Sequence, residues 1–381
     1  MNRKIWTIAL VGLMLCLLPA GAEEEPVWYE PSLPENRVVV GYEPGFELPA
    51  MRGARRVFDD EGLGFAVFES DYIEELEEQF YSIPGVRYVE KDHVVTALFT
   101  PDDPMFSQQY GPKSVRAPQA WDIQMGDEGI VVAVVDTGVD YEHEDLYGRV
   151  IKGYDFANND TDPMDDQGHG THCAGIIGAT TDNGVGTAGI AQVSIMAVKV
   201  LDSQGSGYES WVASGIRYAV DNGAQVISMS LGSSESSTVM EDACNYAWDN
   251  GVLVVAAAGN DYGGPVSYPA KYDSAMAVSA IDSSDKLAYY SNVGPEVEVC
   301  APGSSVLSTY PNNQYKSLSG TSMACPHVAG VAGLVLSENP NLSNQEVRDI
   351  LCDTAIDLGS SGWDQSFGYG KVNAEGAVKA A

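Results

Sequence analysis

Apolar residues follow two different rhythms along the chain. Between residues 37 and 90 the pattern is short and mixed. Residues 37–42 and 64–68 read as strands, and residues 86–90 as a third. Residues 71–82 read as a helix with Ile73, Leu76 and Phe80 on one side and Asp71 and Glu74 as its start signal. This predicts a small α+β unit. Further on, continuous apolar runs alternate with helical periods: strands at 130–135, 194–201, 225–230, 252–257 and 275–280, helices near 170–179, 208–222, 238–250, 321–337 and 343–353. Strands apolar on both faces with helices between them predict an α/β domain built on a mainly parallel sheet. The stretch Thr100 to Pro104, with two prolines and two aspartates, is the natural boundary between the two rhythms.

The N-terminus has a third character. Arg3 and Lys4 precede an apolar run from Ile5 to Leu18, then Pro19 and the small residues Ala20, Gly21 and Ala22. The run falls short of the roughly 20 residues a spanning helix needs, so residues 1–22 read as a secretory signal cleaved after Ala22, with no stable membrane insertion. Residues 23–36, acidic and proline-containing, read as a flexible leader. Cleavage would leave Cys173, Cys244, Cys300, Cys325 and Cys352, without CxxC spacing; core thiols are expected, with one disulfide possible.

Composition narrows the partners. The 381 residues carry 54 Asp+Glu against 20 Lys+Arg, a formal charge of −34, which repels a nucleic-acid backbone and favours cations. With 44% apolar and 19% charged residues the chain is globular, and a monomer is expected.

Four segments carry candidate chemistry. The run 130–135 ends in Asp136-Thr137-Gly138, which places a carboxylate at the carboxyl end of a buried strand, where open α/β sheets put their sites. In Gly168-His169-Gly170-Thr171-His172-Cys173, small residues around His169 allow close backbone approach at a helix start. Two histidines three apart could also bind metal, but no His-Glu-x-x-His pattern exists, so His172 reads as a packed helix residue. Gly320-Thr321-Ser322-Met323-Ala324-Cys325-Pro326-His327 puts Ser322 at a helix N-terminus, where unpaired N–H groups stabilise an oxyanion; Pro326 is expected within the first turn, where its missing N–H costs nothing. Val254 to Gly259 delivers Asn260 from the end of another strand. The GxGxxG string at Gly184 to Gly189 follows a helix and precedes a strand, the reverse of a dinucleotide site.

In the order Asp, His, Asn, Ser these segments resemble the subtilisin family of serine proteases, over roughly residues 100–381. The segments Gln109 to Pro112, Ala117 to Asp122 and Arg149 to Phe156 look nearest to its calcium-dependent, thermitase-like branch, and residues 37–95 look like the family's inhibitory propeptide. The resemblance implies a three-layer subtilisin-like fold and a secreted endopeptidase acting on protein or peptide substrates. Ser322 would be the nucleophile, His169 the base, Asp136 its partner, and Asn260 with the Ser322 N–H the oxyanion hole. A catalytically inactive peptide-binding scaffold is the rival reading.

The same resemblance implies further residues. Ser230-Leu231-Gly232 and Ala257-Ala258-Gly259 match the edges of the P1 pocket, whose small, uncharged walls favour apolar or aromatic P1 residues, with Ser233 narrowing the entrance. Gly205 and Gly207 lie near the segment that pairs with substrate. A tight Ca²⁺ site would use Asp103, Asp145, Asn183 and the backbone at Thr181, Val185 and Thr187, and a second Ca²⁺ site Asp155, Asn158, Asp160 and Asp162. Residues 37–99 would act as intramolecular chaperone and inhibitor, their tail Thr96 to Phe99 lying in the active site, with self-cleavage near Phe99–Thr100 ahead of a catalytic domain at 100–381.

Overall fold

The structure, a computed structural model, describes residues 36–93 and 99–381. The expected signal, the leader before Asn36 and the tail Thr96 to Leu98 lie outside the described residues. Two compact units divide between Ala97 and Leu98.

The first unit contains β1 (Arg37–Tyr42), β2 (Arg55–Asp60), β3 (Phe65–Glu69), α1 (Ile73–Tyr81) and β4 (Val86–Lys91). Its antiparallel sheet has the order β2-β3-β1-β4. Alternate residues Val38, Val40, Ala66, Phe68 and Val89 meet Leu76 and Phe80 of α1 in one core, so α1 covers one face. On the other face Phe58 and Tyr88 are exposed. The strand β2, Arg-Arg-Val-Phe-Asp-Asp, was not anticipated, because this charged edge strand lacks apolar alternation. The expected start signal also differs: Tyr72 is the cap residue of α1, without a side-chain bond, and Asp71 lies one position too early and accepts from Asn36 instead.

The second unit is built on seven parallel strands in the order β11-β10-β9-β8-β5-β7-β6. They are β5 (Val131–Asp136), β6 (Val150–Asp155), β7 (Ser194–Lys199), β8 (Val226–Met229), β9 (Leu253–Ala257), β10 (Ala275–Ile281) and β11 (Val297–Pro302). The short helices α2 (Gly111–Ser114) and α3 (Ala117–Trp121) precede the sheet. Alternate residues of each strand face opposite layers. Val132, Val134 and Val255 pack with α4 (His169–Gly178) and α7 (Thr321–Glu338), while Ala133, Val135 and Val254 pack with α5 (Glu209–Asp221) and α6 (Thr238–Asp249). This is the predicted α/β fold with helices on both faces. Two further helices, α8 (Asn344–Asp353) and α9 (Ala374–Ala380), and a hairpin of β12 (Val306–Tyr310) and β13 (Gln314–Leu318) complete the unit. Among the described residues no helix is long and apolar enough to cross a membrane.

The topology positions the site. The chain leaves β5 toward β6 at one edge and later returns to β8 on the other side of β5, so the carboxyl end of β5 lies at a switch point. Asp136, Ser230 and Asn260 all lie at or just past the carboxyl ends of neighbouring strands.

Candidate active site

Asp136, the last residue of β5, is fully buried, and its Oδ1 accepts from His169 Nδ1 at 2.7 Å and from the Thr137 N–H at 2.7 Å. Donation from Nδ1 fixes the imidazole tautomer and leaves Nε2 as the acceptor. His169 opens α4, with its side chain 24% exposed. Burial alone would lower its pKa, but the charge and hydrogen bond of Asp136, with a contribution from Asp165, hold it above the ordinary imidazole value. The flanking glycines are sterically required. Gly168 has φ 112°, a Cβ there would strike the Tyr310 ring, and a Cβ on Gly170 would strike the Gly138 carbonyl.

Ser322 is the second residue of α7, so its N–H belongs to the first turn, which has no partners within the helix. Asn260 is oriented by its own carbonyl: Oδ1 accepts from the Thr321 N–H at 2.8 Å and from Thr321 Oγ1 at 3.1 Å, which frees Nδ2 to donate elsewhere. A Cβ placed on Gly320 would lie 3.6 Å from both Asn260 Nδ2 and Ser322 N, so these two donors border one common space.

Two features differ from expectation. The Ser322 hydroxyl donates to the Ser230 carbonyl at 3.2 Å and not to His169. Pro326 sits at the sixth helical position, beyond the first turn. Its missing N–H releases the Ser322 carbonyl, which accepts from Ser230 Oγ at 2.8 Å and Cys173 Sγ at 3.4 Å instead. Burial keeps the Cys173 thiol well above its ordinary pKa, so it acts as a neutral donor. His172 is buried as expected of a packed residue; its Nε2 faces the carbonyls of Val306 and Lys316, and burial lowers its pKa to about 4. All five cysteines among the described residues are free, four of them buried.

Two cavities flank Ser322 and His169. One of about 320 Å³ is lined by Ser230, Leu231, Gly232, Ala257, Gly259, Asn260 and Ser322. Asp261 also lines it, which corrects the expectation of uncharged walls. Ala258 does not line it: strand alternation turns this residue into the core shared with α5 and α6. The other cavity, about 420 Å³, runs past His169, Gly205 and Gly207 to Glu209 and Glu235. Ser233 lines this second cavity and pairs through its backbone with Tyr268, so it does not narrow the first.

The first proposed cation site brings Asp145 and Asn183 together, with Asn183 Oδ1 accepting from the Val185 N–H at 2.7 Å. Asp145 is buried; its Oδ1 accepts from Asn183 Nδ2 at 3.1 Å and its Oδ2 from the Thr187 N–H at 2.8 Å. Burial pushes Asp145 up to about 6, with the Asp103 charge adding to the rise, and burial raises Asp103 as well, with a contribution from Asp102. Asp103 Oδ2 accepts from the Asp182 N–H, but its buried Oδ1 has no partner among the described residues. The carbonyls of Thr181, Val185 and Thr187 accept no hydrogen bond there either, whereas that of Gly186 is occupied by the Met105 N–H. An orphaned carboxylate oxygen beside oxygen donors fits a hard cation such as Ca²⁺.

In the second proposed set the side chains bond within one turn, across the Asp155–Asp160 backbone bridge. Asp155 spends both carboxylate oxygens on the backbone and side chain of Asn158, Asp160 Oδ1 caps the Asp162 N–H, and Asp162 accepts from Tyr141. The carboxylates of Asp155, Asp160 and Asp162 do not converge within 4.8 Å of one another. Phe99 is also not where the sequence placed it. Its N–H donates to Asp122 Oδ1 at 3.1 Å and its ring meets Trp121 edge-on at 6.0 Å, so it packs on the body of the second unit and not beside Ser322.

The subtilase family model matches residues 127–370. The chain belongs to the subtilase family. Thermitase of Thermoactinomyces vulgaris is 50% identical over 283 residues, which is 74% of this subtilase and all of that protein. The halolysin-like extracellular serine protease Nep of Natrialba magadii is 44% identical over 370 residues, covering 92% of this chain and 68% of that one. Among solved structures, a protease of Pseudoalteromonas arctica aligns with TM-score 0.68 and 35% identity over 74% of this chain and all of that one. This subtilase is therefore a serine protease, a hydrolase.

Sequence reasoning missed Asp165, Thr137 and Lys199 behind the site and Asp261 in the pocket. An acidic pair four and three residues before His169 reads as a solvated turn, and only the fold turns Asp165 inward.

Proposed function

We propose that the protein is a secreted endopeptidase, made as a self-processing zymogen and stabilised by Ca²⁺. One observation carries the catalytic reading: the 2.7 Å bond from His169 Nδ1 to buried Asp136, at the same strand ends as Ser322 and Asn260. Rotation of the Ser322 hydroxyl away from the Ser230 carbonyl toward Nε2 prepares the attack; His169 takes the proton and returns it to the leaving amine, while Asp136 stabilises the imidazolium. Asn260 Nδ2 and the Ser322 N–H receive the developing oxyanion. Subtilisin is itself a measured case in which losing one such donor costs about 10²–10³ in kcat, and Asn260→Ala is expected to lose a similar factor with little change in KM. Unchanged turnover would remove the assignment. Reaction of Ser322 with a fluorophosphonate separates the enzyme from an inactive peptide-binding scaffold.

The smaller cavity takes the P1 residue. The small residues Gly232, Ala257 and Gly259 in its lining leave room for large apolar or aromatic side chains, and Asp261 at its exposed rim adds tolerance for basic ones. Secretion is supported by the signal-like residues 1–22 and by the likeness to an extracellular relative.

The first unit suits an inhibitory propeptide, with an apolar face opposite α1 available to a protease surface. The bond of Phe99 to Asp122 and its ring contact with Trp121 support a cut before Phe99 and not after it, in which case the mature chain would keep residues 99–381. Intact mass spectrometry of the mature protein checks this. A mature chain beginning at Thr100 or later would refute the shift.

A further inference from the structure

The first turn of α4 is closed by an aspartate that the triad reading leaves unused. Asp165 is buried and its two oxygens accept five hydrogen bonds. Oδ1 takes Thr137 Oγ1 at 2.9 Å, the Gln167 N–H at 2.9 Å and the Gly168 N–H at 2.8 Å. Oδ2 takes the Thr171 N–H at 2.9 Å and Thr171 Oγ1 at 2.6 Å. Thr137 Oγ1 in turn accepts from the Gly170 N–H at 2.9 Å, and the His169 N–H is held by Gln167 Oε1 at 2.8 Å. Every backbone donor from Gln167 to Thr171, through the first turn of α4, is thus occupied, in contrast to α7, whose first turn leaves the Ser322 N–H for the substrate.

We propose that Asp165 is a positioning residue for His169: its carboxylate bolts the start of α4 to the Asp136-Thr137 corner of β5 and so sets where the imidazole stands. The inference rests on His169 acting as the base. Thr137 is the only residue between Asp136 and the bolt, so a shift of α4 moves the imidazole relative to its partner. A negative charge at this helix start is stabilised by the helix dipole and in turn favours imidazolium. The titratable groups around His169 are Asp136 from β5, Asp165 just before α4, His172 and Cys173 within it, the Asp166–Lys199 pair behind Thr137, and Glu209 and Glu235 along the cavity that His169 lines. Of these, Asp136 and Asp165 raise its pKa.

The test compares wild type, Asp165→Asn, Thr171→Val and Thr137→Val. Asp165→Asn is expected to lower kcat by about 10²-fold with KM changed less than about threefold, and to move the acid limb of kcat/KM to lower pH. Thr171→Val and Thr137→Val keep the charge, and each removes a bond to Asp165 together with the one its hydroxyl accepts from the Asp140 or Gly170 N–H, so they should lower kcat by about tenfold without moving the limb. An Asp165→Asn protein with a reduced melting temperature but an unmoved limb would overturn the proposal. Should that variant not fold, wild-type kcat in both threonine variants would overturn it equally. NMR titration of the His169 ring in the Ser322→Ala chain, with and without Asp165→Asn, needs no turnover. A wild-type enzyme without activity would count against the triad, whereas an unmoved His169 titration would count against Asp165.

Discussion

Ser322→Ala is expected to leave a folded protein that neither cuts peptide substrates measurably nor removes its own residues before Phe99. The expectation follows from how the site divides its work. Asp136, His169 and Asn260 each act on the hydroxyl or on the charge that its attack creates, so without the nucleophile their arrangement has nothing to stabilise except attack by water. In subtilisin, the handiest measured case, removing serine or histidine alone costs about 2 × 10⁶ in kcat, nearly as much as removing the whole triad. A similar loss is expected here. The fold should survive, because the Ser322 side chain makes one 3.2 Å bond to the Ser230 carbonyl, while the bonds holding α7 at this point run to its backbone carbonyl from Ser230 and Cys173. Intact mass spectrometry beside wild type reads both consequences together. Processing of both chains to the same mass would assign the cut to another protease, and peptide hydrolysis by Ser322→Ala at more than about a thousandth of the wild-type rate would refute the nucleophile.

What was legible in the sequence and what was not have the same physical origin. Strands β5, β7, β8, β9 and β10 were found because central strands are apolar on both faces, and their carboxyl ends could be read directly into Asp136 and Asn260. Edge elements were lost. In β6, Ile151 and Lys152 are exposed, and β13 carries Gln314 and Lys316 outward, so neither leaves a continuous apolar run. Sites depend on the same distinction. A motif such as Gly168-His169-Gly170 declares its own steric need, whereas Asp165 acquires meaning only when β5 brings Thr137 beside it. Asp155 to Asp162 is the opposite case: four oxygen-bearing residues at calcium-like spacing are consumed by their own turn. Spacing along the chain cannot distinguish a ligand from a side chain that caps its neighbour.

Removing Ca²⁺ is expected to lower the melting temperature by on the order of 10 °C, and Asp145→Asn to abolish most of that dependence. Two buried carboxylates, Asp145 raised further by the Asp103 charge and Asp103 with an oxygen that lacks a partner among the described residues, are unfavourable unless a cation sits between them. Asp103, Asp145 and Asn183, with the carbonyls of Thr181, Val185 and Thr187, would hold it. At free calcium about 1,000 times the dissociation constant, binding to the folded state alone stabilises it by about 4 kcal/mol, and each kcal/mol moves a domain of this size by roughly 2–4 °C. Thermal unfolding of the Ser322→Ala chain, with calcium and with a chelator, avoids self-digestion. Because Thr187 and Asn183 donate to Asp145, the asparagine variant also loses acceptors and starts from a lower melting point. The decisive quantity is therefore the calcium-induced shift within each protein. An equal shift in Asp145→Asn and its parent would place the ion elsewhere, whereas Asp160→Asn, whose carboxylate only caps a turn, should retain the full shift.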